Sequence, residues 1–372
     1  MKNVPLYQKI FDHYYNKIIT GQIKEGEQIC TEKEIMEKFY VSRITAKRAV
    51  DMLAERGLVT RIPGRGTFVT MTPKVRHNFD DDKLIGIIFS DIEYSFGLDI
   101  LKGIEDEARE RNIHILFRRT FESLERENEA INSMVHRGVD GLIIQTVHGE
   151  TYSDVILKLY LNGLPIVLVD RHMDKTKVPF VTTNNFKAAF DTTKYLIDLG
   201  YRNITFVSAS PEYTSTLNDR YRGFKAAIKN DRTPDLLTLE TPEIRERSEK
   251  MINRDINNIK QLLEENPKID CIFAAEAYVA KLAHRAVKKL NLKVPDDIGI
   301  VCFDTDEREL NGGTSFTHIE QQQYEMGVIA MKTIDEIIKG NADVKTDNLI
   351  DGIIIEGDTV IRKQKGDKDE KI

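Results

Sequence analysis

The chain is 372 residues long, 41% hydrophobic and 31% charged, with a formal net charge of −6. That length allows two or three domains with sizeable cores, and the absence of an apolar run of about 18 residues excludes a membrane-spanning helix. The charge is divided: residues 1–76 carry 14 Lys/Arg against 8 Asp/Glu and the remainder 40 against 52, so a basic head precedes an acidic body, as in a nucleic-acid binder with a separate second function.

Residues 5–20 read as a helix with Leu6, Ile10, Tyr14 and Ile18 on one face, and Met1-Lys2-Asn3 leads into it without a signal peptide. Thr31-Glu32-Lys33-Glu34 has the spacing of a capping box and predicts a short helix over Glu32–Phe39. After Tyr40-Val41, Ser42 is an N-cap for a second helix, in which Ala46, Ala49, Val50 and Leu53 recur at i, i+3, i+4 and i+7. Arg43, Ile44, Lys47, Arg48 and Asp51 fall on its opposite side. Gly57 ends this helix, and Leu58–Ile62 and Thr67–Thr70 read as strands joined through Gly64-Arg65-Gly66. By itself the spacing fits a solvated amphipathic helix and hairpin as well as DNA recognition. Helix, short turn, basic helix and wing together predict a winged helix-turn-helix, whose second helix can enter the major groove.

At these residues the chain resembles the GntR family of bacterial transcription regulators. The resemblance runs from Pro5 to Val69 through Thr31-Glu32-x-Glu34-Ile35, Val41-Ser42-Arg43-x-Thr45, Gly57-Leu58-Val59 and Gly64-x-Gly66-Thr67-Phe68-Val69. Carried over by position, it implies double-stranded operator DNA as partner. The contacts implied are Lys33, Arg43, Thr45, Lys47 and the wing residues Gly64, Arg65 and Gly66, with Arg48 as an added arginine beside them. Lys33 and Lys47 stand where the family often has arginine. Lysine is a point charge, whereas arginine pairs bidentately with guanine, so phosphate positioning should survive and base preference shift.

Thr70–Asp82 has no hydrophobic period and reads as a linker. From Leu84, strands at 84–89, 113–117, 139–144 and 165–169 alternate with helices at 96–111, 124–137 and 154–162. A second series has helices at 186–199, 218–229, 242–265 and 277–290 and strands at 204–207, 270–273 and 298–303. The alternation predicts an α/β body of two doubly wound parallel sheets, hence two lobes with a cleft. Neither series carries GxGxxG or GxxxxGK[ST], so no nucleotide cofactor is signalled. Cys30, Cys271 and Cys302 form no CxxC, the eight histidines are scattered, and no metal site is expected; the thiols suit a reducing cytoplasm.

Over Ile85–Arg362 the chain resembles the effector domain of LacI/GalR regulators and the related periplasmic sugar-binding proteins. The motifs are Ile85-Gly86-Ile87-Ile88, Gly103-Ile104-Glu105, Val139-Asp140-Gly141, Val169-Asp170-Arg171, Arg220-Tyr221-Arg222-Gly223-Phe224, Val294-Pro295-Asp296-Asp297-Ile298 and Phe303-Asp304. The resemblance implies a periplasmic-binding-protein-like fold with three crossovers. Its first lobe would span about 84–183 and 320–345 and its second about 184–319 and 346–365, after a head at 1–70 and a linker at 71–83 that lacks the LacI hinge-helix pattern.

It also implies a sugar in the cleft. Phe96 would stack on the ring, Asp170 and Arg171 would grip hydroxyls, Arg220 would join from its motif, and Asp304 and Gln321 would contribute from the second lobe and a crossover. Each hydroxyl both donates and accepts, so carboxylate, guanidinium and amide groups match it. The alternatives are an internal ion pair for Asp170-Arg171 and a helix cap for Asp304. Tyr94, Gly97, Asn218 and Glu276 depart from the family's residues at their positions. With Tyr94, Asn218 and Glu276 as effector contacts, the polar pattern is changed while a neutral sugar or polyol is still expected.

A GntR head on a LacI-like body resembles the arabinose-repressor type. The expectation is a cytoplasmic homodimer that represses carbohydrate-utilisation genes and is released by a sugar, without catalytic residues, metal or cofactor. Two other classes compete: a GntR head on an aminotransferase-like enzyme body, which would need a longer chain and a Schiff-base lysine context, and a DNA-binding protein with a vestigial cleft.

Overall fold

The structure is a computed structural model describing residues 5–19, 22–62, 65–70, 83–92, 95–147, 154–173, 176–211, 214–228, 236–239, 248–305, 315–341 and 343–363. In the head, α1 (Leu6–Ile19), α2 (Glu32–Phe39) and α3 (Arg43–Glu55) precede the antiparallel pair β1 (Val59–Ile62) and β2 (Gly66–Val69). Local chemistry sets the helix ends. The Glu34 amide donates to the Thr31 hydroxyl at 3.2 Å and the Thr31 amide to the Glu34 carboxylate at 2.7 Å, a closed capping box. The Thr45 amide donates to the Ser42 hydroxyl at 3.3 Å. Gly57 adopts φ +70°, which lets the Leu58 amide reach the Leu53 carbonyl at 3.0 Å and its own amide reach Ala54 at 2.9 Å, a Schellman end. At 13 residues α3 would be marginal alone in water. It is held by Ala46, Ala49, Val50 and Leu53, buried in one core with Ile10, Phe11 and Tyr14 of α1.

The body's first sheet is built from β3 (Lys83–Phe89), β4 (Ile113–Arg119), β5 (Gly141–Ile144), β6 (Ile166–Val169), β7 (Phe180–Thr183) and β13 (Asp347–Ile350). Its order is β13-β7-β6-β5-β3-β4, and every pair is parallel. The second sheet has the corresponding order β14-β12-β11-β10-β8-β9. Its strands are β8 (Ile204–Ser208), β9 (Leu236–Thr238), β10 (Cys271–Ala274), β11 (Gly299–Phe303), β12 (Thr317–Glu320) and an antiparallel edge strand, β14 (Ile353–Ile355). The helices between strands are α4 (Leu98–Glu110), α5 (Leu124–His136) and α6 (Asp154–Leu161), then α7 (Asn185–Asp198), α8 (Ser215–Ala227), α9 (Glu249–Glu265), α10 (Ala277–Lys289) and α11 (Gln323–Ile338). β5, β6, β10 and β11 are buried along their whole length, which is why they read as continuous apolar runs. In the first lobe α4 meets α11 backbone to backbone: a Cβ on Gly103 would strike the Tyr324 carbonyl, and one on Gly327 the Ile100 carbonyl.

The α/β class and doubly wound parallel sheets match the expectation, with four corrections. The second lobe was expected to take everything from 346, but β13 pairs with β7 in the first sheet, so the third crossover falls at 351–352. Helix α8 begins at Ser215, three residues before the expected 218, because the Thr214 hydroxyl caps the Leu217 amide at 3.1 Å. Helix α9 begins after Ser248, whose hydroxyl accepts from Met251 at 3.3 Å; the expected start at 242 lies outside the described residues. Strands β7, β9, β12, β13 and β14 were not read from sequence. They are three or four residues long, and β12 contains Thr317 and His318, buried by its neighbours in the sheet rather than by apolar composition.

Candidate functional site

A cleft open to solvent lies where the carboxyl ends of strands from both sheets face one another, the place where open α/β sheets bind ligands. Ser90 follows β3, Gln145 follows β5, Asp170 follows β6, Asp304 follows β11 and Gln321 follows β12; all five line it. The two aspartates occupy equivalent places. Asp170 has φ 67° and its amide donates to Val181 at 2.9 Å; Asp304 has φ 54° and its amide donates to Ile319 at 2.9 Å. A left-handed turn at a non-glycine residue costs roughly 1–2 kcal/mol, and aspartate is among the residues that tolerate it. The turn ends each strand and presents a carboxylate in the cleft.

Hydrogen bonds hold these groups in place. The Gln145 amide donates to Asp170 Oδ2 at 2.9 Å, and Ser90 donates to Gln145 Oε1 at 3.0 Å. The Gln321 amide donates to Asp304 Oδ2 at 2.6 Å while its oxygen accepts from the Thr183 hydroxyl at 2.7 Å, tying the two crossovers together. Arg220 donates to Asn185 Oδ1 and to the Ala275 carbonyl, both at 2.8 Å, and lies 3.8 Å from the centre of the Phe303 ring. Arg171 donates to the Thr146 carbonyl at 2.5 Å, pairs with Glu122 at 3.2 Å and lies 3.7 Å from Asp170.

Burial dominates the electrostatics. It pushes Asp304 up to about 7, against the pull of Arg220 and the bond from Gln321. It also lowers Arg220 from the usual guanidinium range, although Asp304 and Glu276 oppose it. Burial works against the charge of Arg171 too, but Glu122 and Asp170 beside it hold its pKa above the ordinary value. The walls carry Asp91, Glu122, Asp170, Glu276 and Asp304 against Arg171 and Arg220. Asp91 is matched by Arg119 at 3.0 Å and Glu122 by Arg171, which leaves the lining net negative.

Of the expected effector contacts, Phe96, Asp170, Arg171, Arg220, Glu276 and Asp304 line this one cavity together with Gln321. The ion-pair alternative for Arg171 holds in part, with Glu122 as the stronger partner. Asn218 does not line it. Residues two apart on a helix point to different faces, so Thr216, four before Arg220, takes that place. Tyr94 lies outside the described residues. Glu122, Gln145, Thr216 and Tyr278 were missed. Gln145 was legible as the residue after an apolar strand and Thr216 by its helical phase, whereas Glu122 sits in the loop before α5 with φ 56° and no local signal.

In the head, Lys33, Arg43, Lys47, Arg48 and Arg65 are exposed, while Thr45 and Gly66 are half-buried. The Thr45 hydroxyl lies 2.9 Å from that of Ser42. Arg43 is 3.6 Å from Glu32, which is also 3.6 Å from Arg61, a wing-strand cation the sequence reading passed over. Arg48 is laid over the Tyr7 ring at 4.1 Å, a packing contact with α1. Gly64 lies outside the described residues. Among the described residues no helix is long and apolar enough to cross a membrane, and no group of three or more His, Cys, Asp or Glu could hold a metal ion.

Comparison with known proteins agrees with this architecture. Residues 82–307 match the family described as periplasmic binding proteins and sugar binding domain of LacI family, and residues 6–69 match the bacterial regulatory proteins of the gntR family. The chain is 29% identical over 356 residues, 94% of its length and 95% of the relative's, to the arabinose metabolism transcriptional repressor of Geobacillus stearothermophilus. It is 28% identical over 252 residues, 68% of its length and 71% of the relative's, to the ribose operon repressor of Halalkalibacterium halodurans. A solved LacI family regulator from Enterococcus faecium with bound ribose shares the fold, with a TM-score of 0.60 and 22% identity over 76% of this chain and 100% of that one. This protein therefore belongs to the family of periplasmic binding proteins and LacI-type sugar-binding domains, and joins that body to a gntR-family head.

Proposed function

We propose that this protein is a repressor of carbohydrate-utilisation genes that leaves its operator when a small uncharged sugar fills the cleft. The observation that carries the reading is the paired cleft: Asp170 and Asp304 at equivalent strand ends of the two sheets, with Gln321 bonded both to Asp304 and to the Thr183 crossover. A ligand that bonds to both lobes favours their closed arrangement and shifts the population toward it. The arabinose and ribose repressors among the relatives favour a pentose. The net-negative lining, with both guanidiniums donating to protein acceptors, opposes a phosphorylated or carboxylated sugar.

On the head, Arg43 and Lys47 face the bases, with Lys33, Thr45, Arg48 and the Gly64-Arg65-Gly66 wing as further contacts. One such module buries only about 600–1,000 Å² of its own surface on DNA, so two chains act as a homodimer on a pseudo-palindrome. A coupling of about 3 kcal/mol would change operator affinity roughly 150-fold, and operator would weaken sugar binding by the same factor.

Gel shifts on an operator selected from genomic fragments, titrated with pentoses, hexoses and their phosphates, test this reading. Asp304→Ala should stay on the operator at sugar concentrations that release the wild type. Release of that variant at the wild-type concentration would overturn the cleft assignment, and tighter binding with sugar would reverse the sign of the switch.

A further inference from the structure

We infer that Ile44 reads the DNA bases by an apolar contact with the 5-methyl group of one thymine in each operator half-site. The inference rests on the reading of α3 as the helix that enters the major groove. Ile44 is the second residue of α3 and is 80% exposed. The next aliphatic side chains among the described residues of the head are Leu6 at 56% and Ile62 at 37%. At about 100° per residue, Ile44 lies about 180° from Leu53, the centre of the buried face, with Lys47 about 60° to one side and Arg48 about 40° to the other. Within the first two turns its neighbours on this face are basic, whereas Asp51 and Glu55, two and three turns further on, return to the same line.

The fold does not ask for isoleucine at this point. Among the described residues it belongs to no core cluster of the head, and a β-branched residue on an exposed helical position is a poorer helix former than alanine or lysine. The N-terminal residues of a recognition helix are the ones that reach base edges. The thymine methyl is the apolar group that distinguishes A·T from G·C in the major groove. With Lys47 beside it to meet a phosphate or polar edge and Arg48 packed over Tyr7 on the other side, a branched hydrocarbon here selects thymine and gains nothing from cytosine, which lacks the methyl.

The test uses the full chain. Selection from a random duplex pool identifies a bound sequence, and each thymine in it is then replaced by uracil, which removes the methyl and keeps the base pair. The wild type should lose about fourfold in affinity per contacted methyl, at one position in each half-site. Ile44→Ala should bind the thymine and uracil duplexes equally, while its affinity for scrambled DNA, which reports folding and phosphate contacts, stays at the wild-type level. Ile44→Val, which keeps the branch, should retain the preference. A wild type indifferent to uracil at every position, or an Ile44→Ala variant with the wild-type uracil penalty, would overturn the inference and leave the regulator reading standing. A full chain that selects no sequence at all would remove the regulator reading, and this inference with it.

Discussion

Glu127 on α5 is fully buried, with one carboxylate oxygen accepting from the Val147 amide at 2.9 Å and the other, among the described residues, without a hydrogen-bond partner. Burial pushes its pKa from 4.5 up to about 7, with the Val147 bond and Arg171 opposing and Glu122 reinforcing. The folded chain therefore holds this proton more tightly than the unfolded chain. The cost of ionising Glu127 is absent below the unfolded value, grows as pH rises from 4.5 to 7, and is complete above that. At about 1.4 kcal/mol per pH unit, the gap between the two values amounts to about 3 kcal/mol. Glu127→Gln keeps an acceptor for Val147 and removes the charge, so it should stabilise the body at pH 8 by about that much. At roughly 2 °C per kcal/mol for a unit of this size, thermal scans of the ligand-free protein should show a Tm higher by about 6 °C. At pH 4.5 the gain should all but vanish. An equal gain at both pH values, or a loss at pH 8, would refute the reasoning.

Asp335 accepts from Lys83 at 2.5 Å, Arg111 at 2.6 Å and Lys339 at 2.7 Å, and although burial opposes its charge these partners hold its pKa down at about 2. Asp335→Asn should cost about 2–3 kcal/mol at neutral pH by urea denaturation; because the folded value is depressed, the difference should shrink as pH falls below 4 and be gone only below 2. Gly103→Ala should destabilise the body by about 1–3 kcal/mol, despite alanine's better helix propensity, because its Cβ meets the Tyr324 carbonyl of α11. On the head, Arg43→Ala should weaken binding to the selected operator by about 1–3 kcal/mol and to scrambled DNA much less, whereas Lys33→Ala should weaken both alike and flatten the salt dependence; gel shifts at several salt concentrations separate the two.

What the sequence determined by itself is what short-range chemistry controls. Thr31 and Glu34 close their capping box, Ser42 starts α3 and Gly57 ends it, because each bond spans only a few residues. The buried strands β5, β6, β10 and β11 announce themselves because parallel strands covered on both faces must be apolar throughout. Asp170, Arg171, Arg220 and Asp304 were reached through motifs, and strand-end position places the two aspartates in the cleft. The tertiary structure decided the rest. Glu122 lies 49 residues from its partner Arg171 and Gln145 25 from Asp170, separations no local pattern encodes. Strand β13 joined the first lobe and β14 the second through edges offered by β7 and β12. The titration of Asp304 and Glu127 near neutral pH follows from water excluded by many residues at once, which no single stretch of sequence specifies.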